Sequence, residues 1–325
     1  MDTPLLLVED LQLFYPVRSG LFGKKRFVRA VDGVSLEIRK GETVGLVGES
    51  GCGKSSLGRA IVRLETPQSG RILLNGRDLL PLNGKALRQC RRDLQMIFQD
   101  PYGSLNPRLS IRSALDEVLR LHSGLDKAAR SARAEELMTM VGLDPSQLDR
   151  YPHQFSGGQR QRIGIARALA SNPAMIVADE PVSALDVSVQ ASVINLLQEI
   201  REKTGTAFLF IAHDLAVVEH ISNRIVVMYL GKIMESGPSH EVCSSPRHPY
   251  TRALLSAVPT IQPDGRKRIL LNGDVPSPLS PPDGCPFHPR CPYAQERCRR
   301  ECPPLQQGDS GRAVRCFSPQ DSSIL

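Results

Sequence analysis

The sequence predicts an α/β fold in which helices cross over a parallel sheet, followed by a small region with little regular structure. Up to about Gly237, short β-branched runs alternate with longer amphipathic stretches, as crossover connections between parallel strands require. Beyond it, residues 238–325 hold 15 of the 25 prolines and six of the eight cysteines. We therefore expect one domain over residues 1–237 and a Cys/Pro-rich extension over residues 238–325.

Composition narrows the function classes only slightly. The chain has 325 residues, 41% hydrophobic and 23% charged, which are ordinary values for a globular protein. No run approaches the roughly 18 apolar residues of a membrane span, and the first residues lack the basic region of a secretory signal. We expect a cytosolic chain that does not cross a bilayer. The net charge of +7 is modest and by itself selects no partner.

The parallel strands are predicted from short apolar runs at 43–47, 174–178, 207–212 and 225–230. Between these strands, residues 101–152 are predicted to form a helical insert. Its apolar residues recur at spacings of three and four: Ala114, Leu115, Val118 and Leu119, then Ala134, Leu137, Met138 and Val141. The insert is predicted to form a helical subdomain over about residues 100–158.

Residues 48–55, GESGCGKS, fit the P-loop pattern between an apolar strand and an amphipathic stretch. The glycines let the backbone wrap closely around phosphate oxygens, so that several N–H groups and a helix N-terminus face the negative charge. Lys54 would add a positive charge near the β and γ phosphates, and the Ser55 hydroxyl is the natural Mg²⁺ ligand. The motif predicts a nucleotide site.

Two carboxylates, Asp179 and Glu180, follow the apolar run at 174–178. A parallel sheet presents such residues to a ligand at its carboxyl edge. Asp179 could reach the Mg²⁺ shell, and Glu180 could orient or deprotonate an attacking water. His213 ends the next strand in the same way, although a lone histidine at a strand end is more often structural.

Residues 155–162, FSGGQRQR, place Ser156 23 residues before Asp179 and resemble the signature motif of ABC ATPases. The serine and two glycines would form a second helix N-terminus suited to a γ-phosphate. In that family the phosphate belongs to the opposite subunit of a head-to-tail dimer. The resemblance implies a P-loop ABC ATPase core with a helical subdomain and an N-terminal antiparallel sheet.

Several single positions also resemble functional residues of the ABC ATPase family. Tyr15 resembles the aromatic residue that stacks on adenine, and Gln99 the glutamine that contacts Mg²⁺ and water. Asp186 resembles the loop aspartate that couples the two sites, and His213 the histidine that contacts the γ-phosphate. The residues implied to contact nucleotide are Tyr15, Gly48, Ser50, Gly51, Cys52, Gly53, Lys54, Ser55, Ser56, Ser156, Gly157, Gly158, Gln159 and Asp186. Ser56 departs slightly from the family, which often has threonine there.

Three flanking segments, 99–107, 150–153 and 246–251, resemble the ATP-binding subunits of bacterial dipeptide and oligopeptide importers, most closely the second of their paired ATPases, the F-type subunit. The resemblance implies peripheral attachment at the cytoplasmic face of the cell membrane. It also implies two transmembrane permease subunits, a related ATPase as partner and an extracytoplasmic peptide-binding protein. Dipeptides, longer peptides, nickel and glutathione all remain open as cargo.

The alternative is an ABC ATPase that acts on nucleic acid or ribosomes rather than in transport. The positive net charge and the cluster of Arg88, Arg91 and Arg92 favour it. Such charge runs are usually solvated faces, and translation factors of this superfamily typically carry two cassettes in one chain. We therefore expect no nucleic-acid partner.

Five cysteines lie close together in the tail, separated by five, six, three and thirteen residues. These spacings match neither the usual zinc knuckle nor the ferredoxin runs, so an iron–sulfur cluster, zinc and free buried thiols all stay open. Residues 284–292, GCPFHPRCP, resemble the C-terminal motif of peptide importers, whose cysteines hold a cluster in some members. The resemblance implies a [4Fe–4S] cluster on Cys285, Cys291, Cys298 and Cys316, with Cys302 spare.

Overall fold

A computed structural model describes residues 3–18, 25–100, 103–257, 269–308 and 311–320. Over these residues the strands are β1 (Leu6–Arg18), β2 (Lys25–Ile38), β3 (Thr43–Val47), β4 (Ser69–Leu74), β5 (Arg77–Asp78), β6 (Leu94–Ile97), β7 (Met175–Asp179), β8 (Ala207–Ile211), β9 (Arg224–Tyr229), β10 (Lys232–Pro238), β11 (Gln306–Gln307) and β12 (Ala313–Val314). The helices are α1 (Lys54–Ile61), α2 (Gly84–Asp93), α3 (Ile111–His122), α4 (Lys127–Met140), α5 (Gly157–Leu169), α6 (Val187–Thr204), α7 (Leu215–Ile221), α8 (Ser239–Ser244), α9 (Pro249–Ser256) and α10 (Glu296–Arg300).

The chain divides into two compact units. The first comprises residues 1–38, 43–80 and 212–325, and the second comprises residues 39–42 and 81–211. The predicted domain boundary near Gly237 does not coincide with this division, because residues on both sides of it lie in the first unit.

The first unit contains an antiparallel sheet with strand order β2-β1-β4-β5. Along β1, Leu6 and Val8 are buried on either side of Leu7, and Leu11 and Leu13 resume this alternation after a register shift between Val8 and Leu11. The predicted N-terminal antiparallel sheet is therefore confirmed.

The same unit holds strands in the order β11-β12-β10-β9-β3. Strand β3 runs parallel to β9, and every residue of β3 is buried. Strand β10 pairs antiparallel with both β9 and β12. Through β12, the tail of the chain adds directly to the sheet that carries the P-loop strand.

A buried ion pair fixes this arrangement of the tail. Arg312 donates to the Glu235 carboxylate at 2.9 Å, and the exposed fractions of their side chains are 6% and 1%. The same carboxylate accepts hydrogen bonds from the backbone N–H groups of Arg247 and His248. Because a buried charge is costly unless it is paired and hydrogen-bonded, these contacts hold the tail against β10. A separate C-terminal domain is not confirmed.

The second unit is built on parallel strands in the order β8-β7-β6. All residues of β7 and β8 are buried, as apolar runs in a parallel sheet predict. Helices α3 and α4 form the predicted insert. Each starts at a side-chain cap, since Ser110 accepts from Ser113 N–H and Asp126 from Ala129 N–H. The predicted apolar face is buried except at Val118, which is half-buried.

Among the residues that the structure describes, no helix combines the length and the apolar composition that a bilayer crossing requires.

Candidate active site

The P-loop lies between β3 and α1, and two of its glycines admit no side chain. A Cβ at Gly48 would meet the Met228 carbonyl oxygen at 2.1 Å, and one at Gly53 would meet the Ala30 carbonyl oxygen at 1.9 Å. Both glycines also have positive φ, 153° and 107°. The loop can therefore approach neighbouring backbone only with glycine at these positions.

Lys54 is buried and lies inside the loop that it follows. Its Nζ donates to the carbonyl oxygens of Gly48 at 2.7 Å and Glu49 at 3.1 Å. The ammonium is thus held at the centre of the loop, where a phosphate group would meet it. Cys52 is buried beside it, with Sγ 3.9 Å from Nζ, and burial raises the pKa of this thiol.

The remaining P-loop residues stand at the start of α1. Gly53 is the N-cap and has no side chain to occupy the first N–H groups of the helix, so these groups suit an anion. Ser55 and Ser56 are half-buried in the first turn, while Ser50 and Gly51 are exposed at the tip.

Two further predicted residues belong to the same unit as the P-loop. Tyr15 lies on β1 opposite Val28 of β2 and is half-buried. His213 is exposed after β8, and its neighbour Asp214 accepts from Ala216 N–H to cap α7.

In the second unit, the structure brings Gln99 and Glu180 together. Asp179 ends β7 and is buried, with 2% of its surface exposed, whereas Glu180 adopts a left-handed backbone with φ of 46°. The Glu180 N–H donates to the Ile211 carbonyl at 3.0 Å, which fixes this turn. Gln99 Nε2 donates to Glu180 Oε2 at 2.9 Å. Strained residues of this kind concentrate at functional sites, because the surroundings must over-determine them.

The predicted signature residues form the N-terminus of α5. The Ser156 hydroxyl accepts from Gln159 N–H, and the Gln159 side chain accepts from Ser156 N–H, forming a capping box. A Cβ at Gly158 would lie 2.5 Å from Val189 Cγ1, whereas one at Gly157 would meet its nearest neighbour at 3.8 Å. The side chain of Gln159, predicted to contact nucleotide, is therefore engaged in capping the helix.

Asp186 is the N-cap residue of α6. Its carboxylate accepts from Val189 N–H at 3.0 Å and from the Ser188 hydroxyl at 2.7 Å. These hydrogen bonds lower the pKa of Asp186, with the bond from Ser188 as the largest cause. The aspartate is therefore ionised and oriented at the start of the helix.

The eight cysteines all lie in the described residues and all are free thiols. Burial raises the pKa of Cys285 to about 12, and the neighbouring thiols of Cys298, Cys302 and Cys316 add to the rise. Burial likewise raises the pKa of Cys291 to about 11. In the described part of the chain, however, no group of three or more His, Cys, Asp or Glu residues is arranged to hold a metal ion. The predicted cluster is therefore not confirmed.

The sequence did not reveal that the tail reaches the P-loop. Glu49 N–H donates to the Tyr250 hydroxyl at 2.8 Å, and Arg290 forms an ion pair with the Glu49 carboxylate at 2.7 Å. Arg290 lies 241 positions along the chain from Glu49. No spacing or periodicity links two positions so far apart, so only the fold could identify this contact.

Family comparisons agree with the predicted fold. The family described as "ABC transporter" matches residues 31–183, and that described as "Oligopeptide/dipeptide transporter, C-terminal region" matches residues 234–298. Among solved structures, the chain is similar to the ATP-binding cassette MJ0796, in a dimeric post-hydrolysis state bound to ADP and Pi. The TM-score is 0.64 at 29% identity, over 72% of this chain and 98% of that one.

Curated relatives match over almost the whole chain. The oligopeptide transport ATP-binding protein AppF of Bacillus subtilis is 52% identical, over 96% of this chain and 96% of its own length. The dipeptide transport ATP-binding protein DppF of Escherichia coli is 48% identical, over 98% of this chain and 95% of its own. The predicted ABC ATPase fold and the predicted ATP hydrolysis are confirmed. The chain therefore belongs to the oligopeptide and dipeptide ABC transporter family, among its ATP-binding subunits.

Proposed function

We propose that this chain hydrolyses ATP to energise the uptake of dipeptides or oligopeptides across the cell membrane. The near-full-length similarity to ATP-binding subunits of peptide transporters carries this proposal. The match of the tail, residues 234–298, to the C-terminal region of the same transporters supports it independently of the ATPase core.

Glu180 is the residue that we assign to activating the attacking water. Its carboxylate accepts from Gln99 Nε2, and this amide can hold the carboxylate in one orientation for proton abstraction. Lys54 stabilises the charge that develops on the transferred phosphoryl group, because its ammonium is held inside the P-loop.

Mg²⁺ would neutralise phosphate charge in this reaction. The residues that fit it by donor chemistry are Ser55, Gln99 and Asp179, which supply a hydroxyl, an amide oxygen and a carboxylate. Asp179 is a buried carboxylate at the end of β7, and a carboxylate oxygen is a ligand that Mg²⁺ prefers.

We assign the remaining nucleotide contacts from the family resemblance. Tyr15 would stack on the adenine, and the exposed His213 would contact the γ-phosphate. Ser156, Gly157 and Gly158 would bind the nucleotide held by a second ATPase subunit, and Asp186 would couple the two sites. The exposed position of Ser156 at the start of α5 supports this arrangement, because the N-terminus of a helix suits a phosphate.

The proposed partners are two permease subunits, a related ATPase subunit and an extracytoplasmic peptide-binding protein. The chain would then be bound peripherally at the cytoplasmic face of the membrane, through the permeases.

We also propose a [4Fe–4S] cluster held by Cys285, Cys291, Cys298 and Cys316. The family resemblance of residues 284–292 supports this proposal, and so does the proximity of the thiols, since Cys298 and Cys316 add to the raised pKa of Cys285 and of Cys291. Its role would be structural, since ATP hydrolysis transfers no electrons.

Purification of the tagged chain from detergent-solubilised membranes tests the transport function. We expect permease subunits and a second ATPase to co-purify in equal amounts. Recovery of RNA or ribosomal proteins in place of permeases would instead support the alternative, an ABC ATPase that acts on nucleic acid or ribosomes.

A further inference from the structure

Glu49 of the P-loop is held by both its backbone and its side chain. Its carbonyl oxygen accepts from Lys54 Nζ at 3.1 Å and from Cys52 N–H at 3.2 Å. Its N–H donates to the Tyr250 hydroxyl at 2.8 Å, and its carboxylate pairs with Arg290 Nη1 at 2.7 Å. Two of these four contacts come from the Cys/Pro-rich tail.

Arg290 is fixed in place by the tail around it. Its N–H donates to the Phe287 carbonyl at 3.0 Å. The Phe287 ring is buried; its centroid lies 5.4 Å from that of Tyr229 in an edge-on arrangement and 5.3 Å from that of Tyr250 in a tilted one. The Arg290 side chain is only 9% exposed, against 24% for Glu49. An ion pair so enclosed is screened by salt much less than a surface pair.

The Glu49 carboxylate carries a negative charge on the loop that receives a polyphosphate. Without a counter-charge it would repel the phosphates and weaken nucleotide binding, because like charges interact strongly where solvent is partly excluded. The arginine removes this repulsion and also limits the movement of the residue whose carbonyl holds Lys54.

We propose that Arg290 is a positioning residue for nucleotide binding, and that it acts by neutralising the Glu49 carboxylate. The tail thereby contributes to the affinity of the P-loop for ATP. This inference rests on the proposed nucleotide site, and it extends that site to a residue outside the ATPase motifs.

Equilibrium binding of a fluorescent ATP analogue to the purified full-length chain tests whether Arg290 supports nucleotide binding. We expect Arg290→Ala to weaken binding about tenfold. Arg290→Lys should retain most of the affinity, because it keeps the charge. Where the alanine variant does not fold, Arg290→Gln gives the same comparison with a side chain of similar length.

The double variant separates charge neutralisation from a purely structural role. Glu49→Gln removes the repelling charge, so Glu49→Gln with Arg290→Ala should bind ATP within about twofold of Glu49→Gln alone. If the double variant binds as weakly as Arg290→Ala, or if Arg290→Ala binds like the wild type, the inference is wrong.

Two controls make the outcome specific. Arg300 is another arginine of the tail, paired with Glu296 in its own helix at 2.9 Å, and Arg300→Ala should leave the affinity unchanged. Lys54→Ala reports on the nucleotide site itself. If Lys54→Ala binds ATP normally, the proposed site fails; if it abolishes binding while Arg290→Ala does not alter it, only the inference fails.

Discussion

Gln99 donates a hydrogen bond of 2.9 Å to the carboxylate of Glu180, the residue directly after the buried Asp179. Glu180 holds a left-handed backbone conformation, which a non-glycine residue adopts only when its surroundings impose it. The hydrogen bond joins the proposed general base, Glu180, to a residue that follows a different strand. The side chain of Gln99 therefore helps to orient the Glu180 carboxylate.

Replacing Glu180 by glutamine keeps this shape but removes the base. We expect Glu180→Gln to bind ATP with unchanged affinity and to lower hydrolysis about 10²- to 10⁴-fold, the usual contribution of a general base. Steady-state phosphate release from the assembled transporter measures the effect. The partner ATPase should carry an inactive P-loop, so that its own activity does not contribute.

Glu199→Gln is the matched control, because Glu199 is an exposed glutamate that pairs with Lys203 in its own helix. It should hydrolyse ATP at the wild-type rate. Near-normal hydrolysis by Glu180→Gln would remove Glu180 from the mechanism.

Ser156→Asp tests whether the start of α5 serves a phosphate held by another subunit. Aspartate caps a helix as well as serine does, so the variant should fold normally, but its charge would repel the phosphate. We expect hydrolysis to be lost at the partner's P-loop and retained at this chain's own. Single-turnover hydrolysis in mixed dimers, with one P-loop inactivated at a time, measures each site.

Ser110→Asp makes the same substitution at the cap of α3 and should have no effect on either site. If Ser156→Asp abolished hydrolysis only at this chain's own P-loop, it would contradict the proposal that Ser156 binds the nucleotide held by the partner subunit.

If the proposed [4Fe–4S] cluster is bound, anaerobically purified protein should contain iron and acid-labile sulfide. Cys291→Ser should lose the iron, because it removes one of four proposed ligands. Cys302→Ser is the control and should keep the iron, since Cys302 is exposed and is the spare thiol. Elemental analysis that finds stoichiometric zinc, or a folded tail without metal, would refute the cluster.

We expect the stability of the tail to depend on pH, because His248 is buried there. It is 1% exposed, and burial lowers its pKa to about 3 from 6.5. Between these two values the unfolded chain binds one more proton than the folded chain at this site. The free energy of unfolding should therefore decrease as the pH falls below about 6.5. His248 should contribute about 1.4 kcal/mol to this decrease for each pH unit.

His248→Asn removes the titration and keeps an acceptor for the Tyr250 N–H that His248 Nδ1 now binds. Urea unfolding at several pH values should show a shallower acid slope in this variant. His240→Asn, which alters an exposed histidine, should keep the wild-type slope. Equal slopes in all three proteins would contradict the prediction.

Local pattern was sufficient to predict the strand before the P-loop and the two carboxylates at the carboxyl end of β7. Strand β3 spans Thr43–Val47, as the apolar run predicts, and Asp179 closes β7. Both depend on runs of neighbouring residues, which a sequence displays directly. The motif alone predicted a nucleotide contact for Gln159. In the structure its side chain accepts from Ser156 N–H, because a glutamine three residues after a serine also completes a capping box.

The tail could not be placed from its sequence. Glu235 looks like an ordinary strand glutamate, yet it is buried because Arg312, 77 positions away, folds onto it. Arg290 lies among prolines and cysteines that suggest a metal site, and its contact is instead with the P-loop. Such long-range pairs depend on how the chain closes on itself, which neither composition nor periodicity encodes.

The central claim is that ATP hydrolysis by this chain drives peptide uptake. The most direct measurement is the uptake of a labelled dipeptide or oligopeptide into cells whose own copy of this chain is replaced by Glu180→Gln, with wild type and Glu199→Gln in parallel. We predict that uptake falls to the level of cells without the chain in Glu180→Gln and stays normal in Glu199→Gln. Unchanged peptide uptake in cells that lack the chain or carry Glu180→Gln would contradict the claim.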